Sequence, residues 1–197
     1  MFLDFWNFQL NWNERAKGKS CDYSKIPKIL LEKAKATLIS GGVHSELQLD
    51  GMTIYASYNP TVQQDRSLRG WLEDTVGKFP GVRVNIKERA PKIKPIHCRV
   101  CDKMIHNCPH CNSEIKRAPE KGIDGAIITD MFSLAWERAY DVAILISSDK
   151  DMKPAVERLQ DKGIKVVNFT WKGYGHDLAK ACWASCELDS FINELTT

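Results

Sequence analysis

The residues best equipped for chemistry stand at the end of an apolar run. Residues 142–147 (Val-Ala-Ile-Leu-Ile-Ser) lead straight into Ser148-Asp149-Lys150-Asp151, and a helical pattern follows from Met152 to Lys162. An uninterrupted apolar run of this length reads as a strand buried on both faces. Ligands in an open α/β sheet gather beyond the carboxyl ends of the strands, so Asp149 and Asp151 stand where chemistry is usually done. Taken alone, the pair would serve as well as a helix cap and a first-turn acid. Asp4 changes the balance, because it closes a second short apolar run at the start of the chain. Asp124 and Asp130 lie between the two, in Lys121-Gly-Ile-Asp124-Gly-Ala-Ile-Ile-Thr-Asp130-Met131. Thr129 or Asp130 would suit the start of a helix running into Leu134; if the helix instead begins at Asp124, the two aspartates are ~120° apart and could still border one site. Carboxylates converging without matching bases must protonate or share a divalent cation. An all-oxygen donor set suits Mg²⁺ or Mn²⁺, and the chemistry that uses it is phosphodiester hydrolysis.

A second constellation is made of thiols. Four of the seven cysteines fall within fourteen residues, as two Cys-x-x-Cys pairs, Cys98/Cys101 and Cys108/Cys111, six residues apart. Each short turn can aim two thiolates at one tetrahedral Zn²⁺, and His97, His106 and His110 are reserve ligands. Lys87, Arg89, Lys92, Lys94, Arg99, Lys103, Lys116, Arg117 and Lys121 surround the pairs. Such a basic module suits contact with a phosphate backbone; a solvated surface on a metal-stapled loop is the plainer alternative.

These groups need a scaffold, and the patterning supplies one. A chain of 197 residues with net charge +3 fits one sizeable domain with a small insertion. The mild charge permits an anionic partner without requiring one. No apolar run approaches the ~18 residues of a membrane span, and the start carries no basic-then-apolar leader, so a cytoplasmic protein without membrane association is expected. Strands are expected at 1–4, 52–58, 82–86, 142–147 and 164–169. Helices are expected at 26–39, 62–79, through 131–138 (starting at Thr129 or Asp130, or else at Asp124), at 152–162, 178–185 and 190–195. Residues 9–22 read as a loop, Asn7 as part of a turn, and Cys182 and Cys186 as packing residues one helical turn apart. The alternation implies an α/β fold with a central parallel sheet flanked by helices. Its domain would be residues 1–90 and 117–197, interrupted by a zinc-binding insertion at 91–116.

Three stretches carry a family likeness. Phe-Leu-Asp4-Phe-Trp-Asn7-Phe, then Lys121-Gly-Ile-Asp124 with Thr-Asp130-Met131, then Tyr140-Asp-Val-Ala-Ile-Leu-Ile-Ser-Ser148-Asp149-Lys-Asp151-Met152 resemble the NYN branch of the PIN-like nucleases. The likeness covers most of residues 1–8 and 119–170. It implies a PIN-like three-layer fold and metal-dependent cleavage of RNA. By matching position, Asp4, Asp130 and Asp149 would hold Mg²⁺ or Mn²⁺, Asp151 and Asp124 would support them, and Asn7 would orient Asp4 or a phosphate. Ser148 stands where many relatives carry glycine, and the cysteine-rich insertion lies outside the common core.

Substrate contacts are expected from Ser148, Lys121, Lys172 in a glycine-rich loop after the fifth strand, and Trp12, whose polar neighbours leave it available to stack on a base. The expected partners are an RNA substrate and, for control, a second copy of the chain or a regulatory protein. A catalytically silent RNA-binding or scaffold protein on the same fold is the competing class, since fold alone does not prove catalysis. A dinucleotide-binding dehydrogenase lacks its Gly-x-Gly-x-x-Gly after the first strand. A haloacid-dehalogenase-like phosphatase would want an aspartate where Trp6 stands.

Overall fold

The first strand, β1 (Phe2–Asp4), is only three residues long, and every one is buried. It survives because it is central: it pairs in parallel with β2 (Met52–Tyr58) on one side and β8 (Val142–Ile146) on the other. The fold is taken from a computed structural model that describes residues 1–44, 46–119 and 122–197. Outward from β2 lies β3 (Val82–Glu88); outward from β8 lie β9 (Lys165–Thr170) and then β10 (Ala184–Glu187). All six strands are parallel, in the order β10-β9-β8-β1-β2-β3. The winding reverses between β1 and β8, which makes their carboxyl ends the switch-point crevice of the sheet.

Side chains alternate between the two faces. Leu3, Ile54, Ile144, Val167 and Phe169 pack with α1 (Phe5–Arg15), α2 (Ile26–Ser40), α3 (Gln63–Asp74) and α7 (Ile192–Leu195). Phe2, Tyr55, Ala143, Leu145 and Val166 pack with α4 (Ile123–Trp136), α5 (Lys153–Gln160) and α6 (His176–Ala181). The result is the three-layer PIN-like arrangement expected. Asp4 shares the parity of Phe2 and so belongs to the face covered by α4.

Several local expectations are corrected. The helix α1 begins directly after Asp4 and contains Asn7 and the first half of the segment expected to be a loop. Its apolar stripe, Phe5, Phe8 and Trp12, is spaced at the helical i, i+3, i+7. Phe79 is not helical, because α3 gives way to a short 3-10 turn at Val76–Lys78. The helix expected at 178–185 ends at Ala181 and a sixth strand, β10, begins at Ala184, so Cys182 and Cys186 are not a helical pair; Cys186 Sγ lies 3.2 Å from Thr37 Oγ1 instead.

The insertion leaves the sheet at the carboxyl end of β3 and returns at the start of α4. Its stem is an antiparallel pair, β4 (Lys92–Ile93) with β7 (Lys116–Arg117). Above the stem, β5 (Ile96–His97) and β6 (Met104–Ile105) form a hairpin, and an isolated bridge joins Asn107 to Glu114. Lys87 Nζ donates to the Gly122 carbonyl at 2.8 Å, tying β3 to the point of return. Among the described residues no helix is long and apolar enough to cross a membrane.

Candidate active site

Two strand ends meet through a buried serine. Asp4 caps α1, its Oδ1 accepting from the Asn7 backbone N–H at 3.3 Å. Its Oδ2 accepts from the Ser147 hydroxyl at 3.1 Å, and that hydroxyl oxygen accepts in turn from the Asp149 backbone N–H at 3.1 Å. Asp4 is 6% exposed and Ser147 2%, so the link is enclosed rather than solvent-borne. Asn7 completes it from above, its Oδ1 accepting from the Ser148 N–H at 2.9 Å. Asp149 caps the 3-10 turn Lys150–Met152 by accepting from the Asp151 N–H at 2.9 Å. The plain capping role is therefore real, and it also fixes the direction in which the carboxylate points. Met152, fully buried, anchors the turn from below.

The opposite wall is α4, which starts at the same sheet edge. Ile123, Ile127 and Met131 bury its inner stripe, leaving Asp124 on the first turn and Asp130 deeper, about 9 Å further along the axis. Asp130 accepts from the Tyr55 hydroxyl at 2.8 Å, and Tyr55 is the register partner of Asp4 on the adjacent strand. Burial and the neighbouring Asp130 carboxylate push the Tyr55 phenol well above its ordinary pKa, so it stays a donor. Among the described residues no three His, Cys, Asp or Glu side chains are assembled as a ready-made metal cage. Mg²⁺ does not require one, since it retains several waters and is commonly held by one or two carboxylates plus substrate phosphates. Asp4 and Asp149, joined through Ser147, are the pair that fits this habit.

The expected substrate contacts fare differently. Ser148 faces the scaffold: its hydroxyl lies 2.7 Å from Thr170 Oγ1 on β9. The loop folds back over it at Gly175, whose φ of +63° is left-handed and whose missing Cβ would sit 2.6 Å from Thr170 Oγ1. Lys172 stands exposed just beyond β9, with its backbone held by Asp189 at 2.7 Å and by Arg15 at 3.0 Å. Trp12 corrects the expectation of a stacking platform. It is 1% exposed, packs on Phe8 and Trp171, and donates its indole N–H to the Lys19 carbonyl at 2.8 Å. Its polar sequence neighbours lie on the outer side of α1. Lys121 lies outside the described residues. Tyr55 and Ser147 were not singled out from the sequence, because their roles depend on which strands become neighbours.

The two cysteine pairs form matching turns. The Cys98 N–H donates to the Lys103 carbonyl at 2.9 Å, and the Cys108 N–H donates to the Ser113 carbonyl at 2.8 Å. The residue after each second cysteine is left-handed, Asp102 at φ 55° and Asn112 at φ 54°. His97 Nε2 is 2.6 Å from Asp102 Oδ1 on its own turn, which occupies one reserve ligand. Backbone N–H groups of Cys101 and Val100 hold the Cys98 thiol below its usual pKa, and Ser113 does the same for Cys111. Burial instead pushes Cys21 and Cys182 up to about 12. In chelator at neutral pH, Cys98 and Cys111 should therefore alkylate first and Cys21 and Cys182 last, as read by peptide mass spectrometry. Raising the pH should speed labelling of the first pair only until their depressed pKa values are passed.

In this parallel α/β domain Asp4 and Asp149 follow the two neighbouring strands at the switch point, and no dinucleotide loop follows β1. The chain belongs to the NYN domain family of PIN-like nucleases, whose model matches residues 55–189. That span contains Asp124, Asp130, Asp149, Asp151 and the whole insertion, while Asp4 and Asn7 precede it. An uncharacterized protein of Sinorhizobium fredii, y4oD, is 38% identical over 47 residues, covering 24% of this chain and 22% of that protein. No solved structure matches the chain.

Proposed function

We propose that the chain is a divalent-cation-dependent endoribonuclease. The observation that supports this most is the enclosed Asp4–Ser147–Asp149 link at the switch point of an NYN-family sheet. Ser147 ties the two strand ends: its buried hydroxyl accepts from the Asp149 backbone N–H and donates to the Asp4 carboxylate, so the Asp4 side chain and the start of the Asp149 turn are positioned before substrate arrives. Asn7 keeps the Ser148 turn against α1, and Asp124 borders the opening. Tyr55 holds Asp130 deeper in the wall. Mg²⁺ or Mn²⁺ held by Asp4 and Asp149, its remaining positions filled by waters and substrate phosphate, would supply an activated water and charge neutralisation at the phosphate.

Zn²⁺ on Cys98, Cys101, Cys108 and Cys111 would staple the insertion, which is rooted at the same sheet edge and carries lysines and arginines suited to a phosphate backbone. Among the described residues the four cysteines do not gather as three or more ligands, so the ion would have to draw two separate turns together. The silent RNA-binding alternative draws on one observation, the absence of three converging ligands among the described residues. An end-labelled single-stranded RNA distinguishes the two readings. The nuclease produces internal cuts with Mn²⁺ and none with EDTA. Binding without cuts in either condition, across several RNAs, would select the silent module.

A further inference from the structure

A cleft of 590 Å³ lies between α1 and α3, outside the acidic crevice but opening on the same sheet edge. Both helices start there: α1 directly after Asp4, and α3 just after the end of β2. The floor is aromatic and buried, with Phe5 stacked on Tyr23 at 6.0 Å. The walls are Trp6 and Trp71. Trp6 is pinned by its indole N–H to the Ser57 carbonyl at 2.7 Å. Trp71 stands edge-on to Tyr23 at 5.2 Å and is 38% exposed, so one of its faces is open to a ligand. Side-chain amides rim the cleft: Gln64, Asn13, and Gln9, whose Oε1 takes the Tyr23 hydroxyl and whose Nε2 donates to Asn13. At the end nearest Asp4, the Arg89 guanidinium lies 5.4 Å over Trp6 and pairs with Asp65 at 2.6 Å. Its Nε is buried with no hydrogen-bond partner among the described residues.

Flat aromatic walls with amides at the edge are the chemistry that receives a nucleobase, whose faces stack and whose edge both donates and accepts. We infer that this cleft is a nucleobase subsite of a single-stranded RNA substrate, stacking one unpaired base on Trp71 on the α1–α3 side of the sheet. The inference rests on the RNA reading of the acidic crevice. It adds a requirement that the crevice alone does not impose, namely that one unpaired base of the substrate be recognised away from the reacting phosphate.

The test is RNA binding by the intact protein in EDTA, where cleavage does not interfere, read from the anisotropy of a short labelled single strand. Trp71→Ala should weaken binding about tenfold, and Trp71→Phe, which keeps a ring on the Tyr23 edge, should restore most of it. Replacing the bases one at a time by abasic nucleotides should cost the native protein a similar factor at one position and cost Trp71→Ala nothing there. Equal affinity of Trp71→Ala and native protein, an abasic penalty unchanged by the substitution, or a native protein that binds no RNA would each overturn the subsite. Cleavage in Mn²⁺ is scored separately. Cutting that survives Trp71→Ala with unchanged KM removes the subsite and leaves the nuclease standing, whereas Trp71-dependent binding without cutting removes the nuclease and leaves the subsite.

Discussion

Asp4→Asn should lower RNA cleavage by about 10²–10³-fold, the usual cost of removing one preorganised electrostatic group, with little loss of stability. Asparagine is as good a helix cap as aspartate, so α1 keeps its start and the Asn7 N–H keeps its acceptor. The Ser147 hydroxyl can still bond to the amide, since it donates or accepts by rotating. What disappears is the charge. Asp4→Ala makes the complementary comparison: it removes the cap, at about 1 kcal/mol, and takes the acceptor from a buried hydroxyl, at about 1–3 kcal/mol. Urea unfolding should therefore separate the two variants while activity does not. An Asp4→Asn protein that cleaves like the native one would reduce Asp4 to a helix cap.

Replacing Cys98 and Cys111 together by serine should release one Zn²⁺ per chain and open the insertion. Structural zinc contributes about 10–16 kcal/mol of binding free energy in small modules, so its loss should not be subtle where the strands are only two residues long. Limited trypsin digestion should then cut within residues 91–116, while the circular dichroism of the core persists. The six-stranded sheet holds both hydrophobic clusters without help from the insertion. RNA affinity should fall, and the slope of log K against log salt should flatten by about 0.7 for each phosphate that the opened insertion no longer neutralises. Global unfolding of the variant would contradict a separate module. A native protein that binds no zinc would remove the ion from the account.

Much of this architecture was legible along the chain. The runs at 52–58 and 142–146 are apolar, β-branched and bounded by polar residues, so their ends, and Asp149 after one of them, could be placed by eye. Asp4 was legible for the same reason. The helix α1 was not, because Phe5, Phe8 and Trp12 are diluted by asparagines, which favour turns; tertiary burial of the aromatic stripe overrides that preference. β10, the Ala-Ser-Cys-Glu edge strand, carries no β-branched residue and gains its conformation from pairing with β9. Trp12 misled because its polar sequence neighbours are not its spatial ones. The Ser147 link and the Tyr55–Asp130 bond need strand order and register, which arise from contacts more than fifty residues apart and leave no local pattern.

The central claim is tested most directly by the rate at which native protein and Asp149→Asn cut one labelled single-stranded RNA in Mn²⁺, with binding to the same RNA measured alongside in EDTA. The side-chain amide carbonyl of that variant should still accept from the Asp151 N–H, so the turn should stay folded and any change should report the carboxylate. The account predicts internal cleavage by the native protein, none detectable from the variant, and RNA affinity retained by both. Equal cleavage rates would contradict it.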